Sequence, residues 1–185
     1  MSLFGKVLVP VDGSPPSDAA VEFAVRFAAD QAAELVFVNI CEVARVAGML
    51  SSSTMTVDPS YALAAERESG DEALAAAVRM AEQGRIPCQA IHEDGACVDS
   101  ILSIARREGA DVIVVGSHGR SGIARAMLGS VAEGILRRAD VPVLVTRVHP
   151  HLSVVHGTKR EDRVLAPVAS FAESESWPRQ VDPIC

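Results

Sequence analysis

Five short apolar runs alternate along this chain with longer segments whose apolar residues recur at helical spacing. The runs occupy residues 7–11, 35–40, 87–92, 111–115 and 142–146. Short apolar runs are typical of buried β-strands, and recurrence at i, i+3 and i+4 is typical of amphipathic helices. Strands that alternate with helices form a mainly parallel sheet with right-handed crossovers. We therefore expect an α/β protein.

The segments between the runs carry helix signals. Ser14 or Ser17 can cap the first helix, and Gly84 is placed to end the second. A third helix precedes residue 111, and a last one covers about 130–139. The apolar residues that mark the first three are Ala20, Phe23, Ala24 and Phe27, then Leu74, Ala77, Val78 and Ala81, then Val98, Ile101, Leu102 and Ala105. Residues 87–92 are more polar than the other runs, which favours an edge strand.

Composition sets the size of the domain and excludes some functions. The chain has 185 residues, of which 49% are hydrophobic and 4% aromatic. Small aliphatic side chains must therefore fill a core that covers both faces of the sheet. A net charge of −7 argues against nucleic-acid binding, which depends on a basic surface. The four cysteines form no C-x-x-C pair, so we expect reduced thiols.

Two further features concern location and domain limits. No apolar run approaches the roughly 20 residues that span a bilayer, and the N-terminus lacks a signal-peptide pattern. We expect a cytoplasmic protein without membrane contact. Residues 1–148 are predicted to form one domain, and residues 149–185 an irregular polar tail. His149, His151 and His156 lie in that tail, where they lack the fixed geometry of a metal site.

Candidate chemistry lies at three strand ends. In an open parallel sheet, ligands bind beyond the carboxyl ends of the strands, where the strand order reverses. Asp12 follows the first run and suits ribose hydroxyls or a metal on a phosphate, while the backbone at Ile40 can pair with a base edge. The fourth run leads into a glycine-bearing loop that ends at a helix start near Ser130. Such a loop can hold a phosphate by its backbone N–H groups.

The glycines of this loop carry a family resemblance. Gly116, Gly119, Gly129 and Ser130 match Gly-x2-Gly-x9-Gly-Ser, so the chain resembles the ATP-binding type of the universal stress protein family. Residues 6–14, 95–101 and 139–145 also resemble that family, and the likeness covers about residues 4–148. We accordingly expect a three-layer α/β/α sandwich with five parallel strands in the order 3-2-1-4-5, of the adenine nucleotide alpha hydrolase-like type.

The resemblance implies an adenine-nucleotide site. Asp12 would approach the ribose, the backbone near Ile40 would contact adenine, and the loop backbone would line the phosphates, with the Ser130 hydroxyl on a phosphate oxygen. The expected ligand is ATP, with ADP or AMP as alternatives and Mg²⁺ as a companion of the phosphates. The predicted binding residues are Pro10, Asp12, Ile40, Val115, Gly116, Ser117, His118, Gly119, Gly129, Ser130 and Val131.

Several of these residues also have a structural explanation that needs no ligand. Ser130 with Glu133 can form a capping box that needs no ligand, and Asp12 can be a turn residue at the strand end. His118 contributes only backbone in this interpretation. Arg120 and Arg125 are solvated loop charges by default.

The leading function is a nucleotide-dependent sensor or regulator in a stress response, with an unidentified protein partner. One alternative is a slow ATPase or a nucleotide-using transferase. Against it, the chain has no Gly-x4-Gly-Lys-Ser/Thr motif and no evident base and nucleophile pair; we expect weak ATP hydrolysis at most. Another alternative is a partner-binding module without nucleotide. The resemblance also implies a homodimer through the fifth strand, with Val143 and Val145 at its edge.

Overall fold

The computed structural model describes residues 3–44, 48, 58–117, 119 and 128–147. Five strands alternate with the four helices whose bounds are described, and residues 43, 44 and 48 are also helical. The strands are β1 (Lys6–Pro10), β2 (Glu34–Cys41), β3 (Cys88–Asp94), β4 (Val112–Gly116) and β5 (Val143–Thr146). The helices are α1 (Pro15–Gln31), α2 (Pro59–Gln83), α3 (Cys97–Glu108) and α4 (Ser130–Arg138).

The sheet has the predicted order. All four pairings are parallel, and the strands lie in the order β3-β2-β1-β4-β5. Because β1 pairs with both β2 and β4, the strand order reverses at β1. The expected α/β/α sandwich is therefore confirmed. The carboxyl ends of β1 and β4 lie side by side at the reversal.

Side chains alternate between two cores, one on each face of the sheet. Val7 and Val9 point toward α1 and α2, whereas Leu8 points toward α3 and α4, and all three are fully buried. Leu74, Ala77 and Ala81 of α2 enter the first core, as their spacing predicts. Ile101, Leu102 and Ala105 of α3 enter the second. The two layers hold the strand ends in a fixed frame.

Helix ends follow the sequence signals in most places. Ser14 is the N-cap of α1 and accepts a hydrogen bond from the backbone N–H of Ser17. Gly84 ends α2, and Gly109 ends α3 in the left-handed conformation with φ 66°. Among the described residues, no helix is both long and apolar enough to cross a membrane.

Two details differ from expectation. Strand β3 is an edge strand as predicted, but it extends to Asp94 because the charged residues after Ile91 pair with the end of β2. Phe23 belongs to the predicted apolar face of α1, yet 42% of its surface is exposed. It lies at the margin of the apolar stripe, on a side of the helix that no longer faces the sheet. Cys185 and the tail beyond Arg147 lie outside the described residues, and Cys41, Cys88 and Cys97 form no disulfide within the described part of the chain.

Candidate functional site

A cavity of about 280 Å³ lies at the reversal of the strand order. It is bounded by the carboxyl ends of β1, β2 and β4 and by the first turn of α4. This volume is near the lower end of the range typical of small-molecule pockets, about 300–1,000 Å³. Nine of the predicted binding residues line it: Pro10, Asp12, Ile40, Val115, Gly116, Gly119, Gly129, Ser130 and Val131.

Of the other two predicted residues, Ser117 is among the described residues and His118 is not. Ser117 is buried and does not line the cavity. Its backbone N–H donates to the Thr146 carbonyl at 2.8 Å, and its own carbonyl accepts from the Gly129 N–H at 2.8 Å. Ser117 thereby joins the end of β4 to β5 and to the start of α4. His118, Arg120 and Arg125 lie outside the described residues.

The Asp12 carboxylate is held by a turn. Its Oδ1 accepts hydrogen bonds from the backbone N–H of Ser14 at 3.0 Å and from the Ser14 hydroxyl at 2.6 Å. Gly13, between them, has a φ of 73°, a conformation that glycine adopts without strain. The backbone N–H of Asp12 donates to Ser17 Oγ at 3.1 Å. Asp12 is therefore a turn residue, as one interpretation predicts, and it also faces the cavity.

Two motif glycines make close approaches of different kinds. A Cβ on Gly116 would lie 2.6 Å from the Pro16 carbonyl oxygen, so this glycine lets β4 pack against the start of α1. A Cβ on Gly119 would lie 2.7 Å from Asp12 Oδ2. Gly116 therefore serves packing between elements, whereas Gly119 places loop backbone directly beside the carboxylate in the cavity.

The first turn of α4 presents backbone donors to the cavity. Its N-cap is Gly129, with no side-chain capping bond among the described residues, and Gly129 O accepts from the Glu133 N–H. Ser130 is thus the first helical residue, and its predicted role as N-cap of a capping box is wrong. The first N–H groups of a helix have no intrahelical acceptor. Those of Ser130, Val131 and Ala132 belong to residues that line the cavity, where the helix dipole favours an anion.

The opposite end of the cavity is formed by β2. Val38, Asn39 and Ile40 line it. The buried Asn39 donates from Nδ2 to the Val11 carbonyl at 2.7 Å, which ties the end of β2 to the end of β1. The sequence places Asn39 at one of the three candidate strand ends, but its side chain was assigned no role. A polar residue within an apolar strand run is the signal that points to it.

Carboxylates add negative charge around the cavity. Glu42 and Glu66 line it together with Asp12, and sequence reasoning missed both because they come from a loop and from α2. Glu42 Oε1 accepts from the backbone N–H of Cys97 at 3.0 Å, at the start of α3. The pKa of Asp18 is raised, first by burial and then by the negative charges of Asp12 and Glu22. An anionic ligand therefore needs the backbone N–H groups at the start of α4 to offset the repulsion from these carboxylates.

A second cavity, of about 270 Å³, lies near the amino ends of the strands. Leu102, Ala105 and Ile113 contribute apolar surface to it, and the Arg106–Asp140 ion pair, 2.8 Å long, lies at its side. None of the predicted binding residues lines this cavity. The first cavity is thus the candidate site. The described residues contain no cluster of three or more His, Cys, Asp or Glu side chains that could hold a metal ion.

Comparison with known proteins matches both the sequence and the fold. The model of the universal stress protein family matches residues 3–147. Universal stress protein MJ0531 of Methanocaldococcus jannaschii is 32% identical over 79% of this chain and 84% of its own length. Universal stress protein YxiE of Bacillus subtilis is 33% identical over 78% of this chain and all of its own. A solved universal stress protein in complex with cAMP has a TM-score of 0.55 at 28% identity, and the match covers 79% of this chain and 98% of that one.

Proposed function

Because this chain belongs to the universal stress protein family, we propose that it binds an adenine nucleotide in the cavity at the strand reversal and acts as a nucleotide-dependent regulator. The observation that carries the proposal is the convergence of nine predicted residues from four elements on one cavity. Residues 1–148 form the nucleotide-binding domain in this proposal. In the same proposal, residues 149–185 are the irregular tail that the sequence predicts.

The phosphates lie at the start of α4. The N–H groups of Ser130, Val131 and Ala132 have no acceptor within the helix, and the Ser130 hydroxyl is not used as a cap. Together they offer several donors at the positive end of a helix, which suits a phosphate chain. Gly119 brings further backbone to the same place. ATP is the expected ligand, with Mg²⁺ as a companion that offsets the charge of Asp12.

The nucleoside lies toward β1 and β2. Asp12, fixed by its two hydrogen bonds from Ser14, accepts from ribose hydroxyls, and the backbone at Ile40 pairs with the adenine edge. The related universal stress protein that was solved in complex with cAMP supports an adenine ligand.

In this proposal, the protein binds the nucleotide but hydrolyses it only slowly. Among the described residues that line the cavity, the charged ones are Asp12, Glu42 and Glu66. Carboxylates do not stabilise the negative charge that develops in phosphoryl transfer. Steady-state hydrolysis should therefore stay below about 1 s⁻¹, the low end of ordinary enzyme turnover. Faster turnover would favour the ATPase alternative.

Calorimetric titration of ATP into the full chain and into Gly119→Val tests the site. The valine Cβ would meet Asp12 Oδ2 at 2.7 Å, so binding should weaken at least tenfold while thermal unfolding changes little. Gly5→Val is the matched control, because a Cβ there meets only Asp111 Oδ2 at 3.5 Å, at the amino end of β1. Equal ATP affinity in all three proteins would discard the site assignment.

The protein also forms a homodimer through β5 in this proposal. The Pro142 and Thr146 carbonyls accept from β4, so by alternation the backbone groups of Val143 and Val145 point to the open edge. Strand β5 has no charged residue, whereas the other edge, β3, carries ion pairs of Glu93 and Asp94. An unprotected edge is a template for another strand. Val145→Pro removes one outward N–H without removing a bond to β4, and should dissociate the dimer in sedimentation.

A further inference from the structure

We propose that an aromatic surface, formed by α1 and by the segment that precedes β1, completes the interface with a second copy of this chain. The surface consists of Phe4, Phe23 and Phe27, and we call it the phenylalanine shelf. The inference rests on the proposed pairing of β5 with its counterpart, and it assigns a role to the most exposed phenylalanine in the described structure. Three of the five phenylalanines in the chain belong to the shelf.

The three rings are in contact, and they run from the partly buried Phe4 and Phe27 to the exposed Phe23. The ring centroids of Phe4 and Phe27 lie 5.5 Å apart, and those of Phe23 and Phe27 lie 5.9 Å apart with an interplanar angle of 18°. Phe23 is 42% exposed, and Leu3 beside Phe4 in the chain is 79% exposed. Exposed apolar surface that is contiguous indicates an interaction site more often than scattered apolar residues do.

Phe23, the exposed part of the shelf, lies on the β5 side of α1. Helix α1 contacts β4, β1, β5 and β2 beneath it and α2 at its flank. Val25 faces α2, because a Cβ on Gly84 at the end of that helix would lie 3.2 Å from Val25 Cγ1. Phe23 is two residues away and thus about 160° around the helix from Val25. It therefore points away from α2, toward the open edge of the sheet.

Strand pairing alone buries too little surface for a stable dimer. Strand β5 has four residues, so its edge measures about 13 Å by 10 Å, or about 130 Å² per partner. A stable interface buries about 800 Å² per partner. The missing area must come from surfaces next to β5, and the shelf is apolar surface in that place.

The geometry of a two-fold dimer brings the two shelves together. Antiparallel pairing of β5 with its counterpart keeps both α1 helices on the same face of one continuous sheet. The two β4 strands beneath them are then three interstrand spacings apart, about 14 Å. Helices in direct contact lie about 8–10 Å apart. Large side chains must therefore fill the gap between the two α1 helices, and Phe23 and Phe27 lie on the facing sides.

Sedimentation of the full chain over a range of concentrations tests the inference, with Phe23→Gln as the variant and Tyr61→Gln as the control. Tyr61 is 75% exposed and lies on α2, which contacts β2 and β3. Loss of a buried aromatic contact at an interface costs at least about tenfold in affinity. We expect Phe23→Gln to raise the dimer Kd at least tenfold. Tyr61→Gln should leave the dimer Kd unchanged, and neither substitution should change the affinity for ATP.

Two results would overturn the inference in distinguishable ways. If Phe23→Gln dimerises like the unmodified chain while Val145→Pro dissociates, strand pairing stands and the shelf has no part in it. If the unmodified chain stays a monomer at every concentration, both the strand pairing and the shelf fail. Thermal unfolding of each variant checks that the fold is retained, which the partial exposure of Phe23 favours.

Discussion

Gly116→Ala should destabilise the fold through a backbone collision that the structure defines. The added Cβ would lie 2.6 Å from the Pro16 carbonyl oxygen, 2.7 Å from the Pro16 carbonyl carbon and 3.1 Å from the Ser17 nitrogen. These are backbone atoms at the start of α1, so no flexible side chain can move aside. Overpacking of this kind costs about 1–3 kcal/mol. For a chain of this length, that corresponds to a fall in Tm of about 2–12 °C.

Chemical denaturation of Gly116→Ala beside Gly5→Ala measures this cost. A Cβ on Gly5 meets only Asp111 Oδ2 at 3.5 Å, an ordinary contact. Both substitutions reduce the entropy of the unfolded chain to the same extent, so the difference between them isolates the collision. We expect Gly116→Ala to be less stable than Gly5→Ala by about 1–3 kcal/mol. A difference within about 0.5 kcal/mol, the usual scatter of neutral substitutions, would refute the reasoning.

Two further predictions concern a cap and a charge. Ser14→Ala removes the N-cap bond to the Ser17 N–H and the hydroxyl bond to Asp12, so it should lower the free energy of unfolding by about 0.5–2 kcal/mol. The control Ser103→Ala, at an exposed helical position, should leave the free energy of unfolding unchanged. Equal stability of the two variants would contradict the role of Ser14 as a cap. The hydrogen bond from Arg67 lowers the pKa of Asp94, so this pair stabilises the fold above the unfolded-state pKa and the contribution is lost as the pH falls through the folded-state pKa. An NMR titration should therefore find a pKa of Asp94 below its ordinary value, and Arg67→Gln should raise it; no change in the variant would exclude the ion pair as the cause.

The sequence predicted the fold and the strand ends because both follow from local pattern. Alternating strands and helices restrict the connections to right-handed crossovers, and the apolar periodicity of α2 and α3 places their buried faces correctly. The position of Asp12 beside Gly119 also follows, since adjacent parallel strands end at the same edge of the sheet. The strand order itself came with the family resemblance.

The rest of the site depends on contacts between distant segments. Glu42 reaches the Cys97 amide across 55 positions of the chain, and Glu66 faces the cavity from α2; neither has a local signature. The capping box at Ser130 was wrong for a different reason. Serine with a glutamate three residues later is a valid capping pattern, but Gly129 is held by Ser117 and takes the N-cap position one residue earlier.

The role of Phe23 could not be predicted from periodicity. Helical spacing places it with Ala20, Ala24 and Phe27 in one apolar stripe, yet a stripe has a margin whose burial depends on the neighbouring element. Among the described helices, α2 packs against one side of α1. Phe23, on the opposite margin, is exposed. Its apolar character indicates an interaction surface only when the position of the open sheet edge is known.

The central claim is that this cavity holds an adenine nucleotide, and the most direct test is to identify which nucleotide the purified protein retains from a mixture. The full chain and Gly119→Val are purified in parallel without added nucleotide, then incubated with equal amounts of ATP, ADP, AMP and GTP and washed. Mass spectrometry of the heat-released supernatant should find an adenine nucleotide, near one per chain, from the unmodified protein and at least tenfold less from Gly119→Val. Release of GTP in equal measure, of no nucleotide, or of the same amount from both proteins would contradict the account.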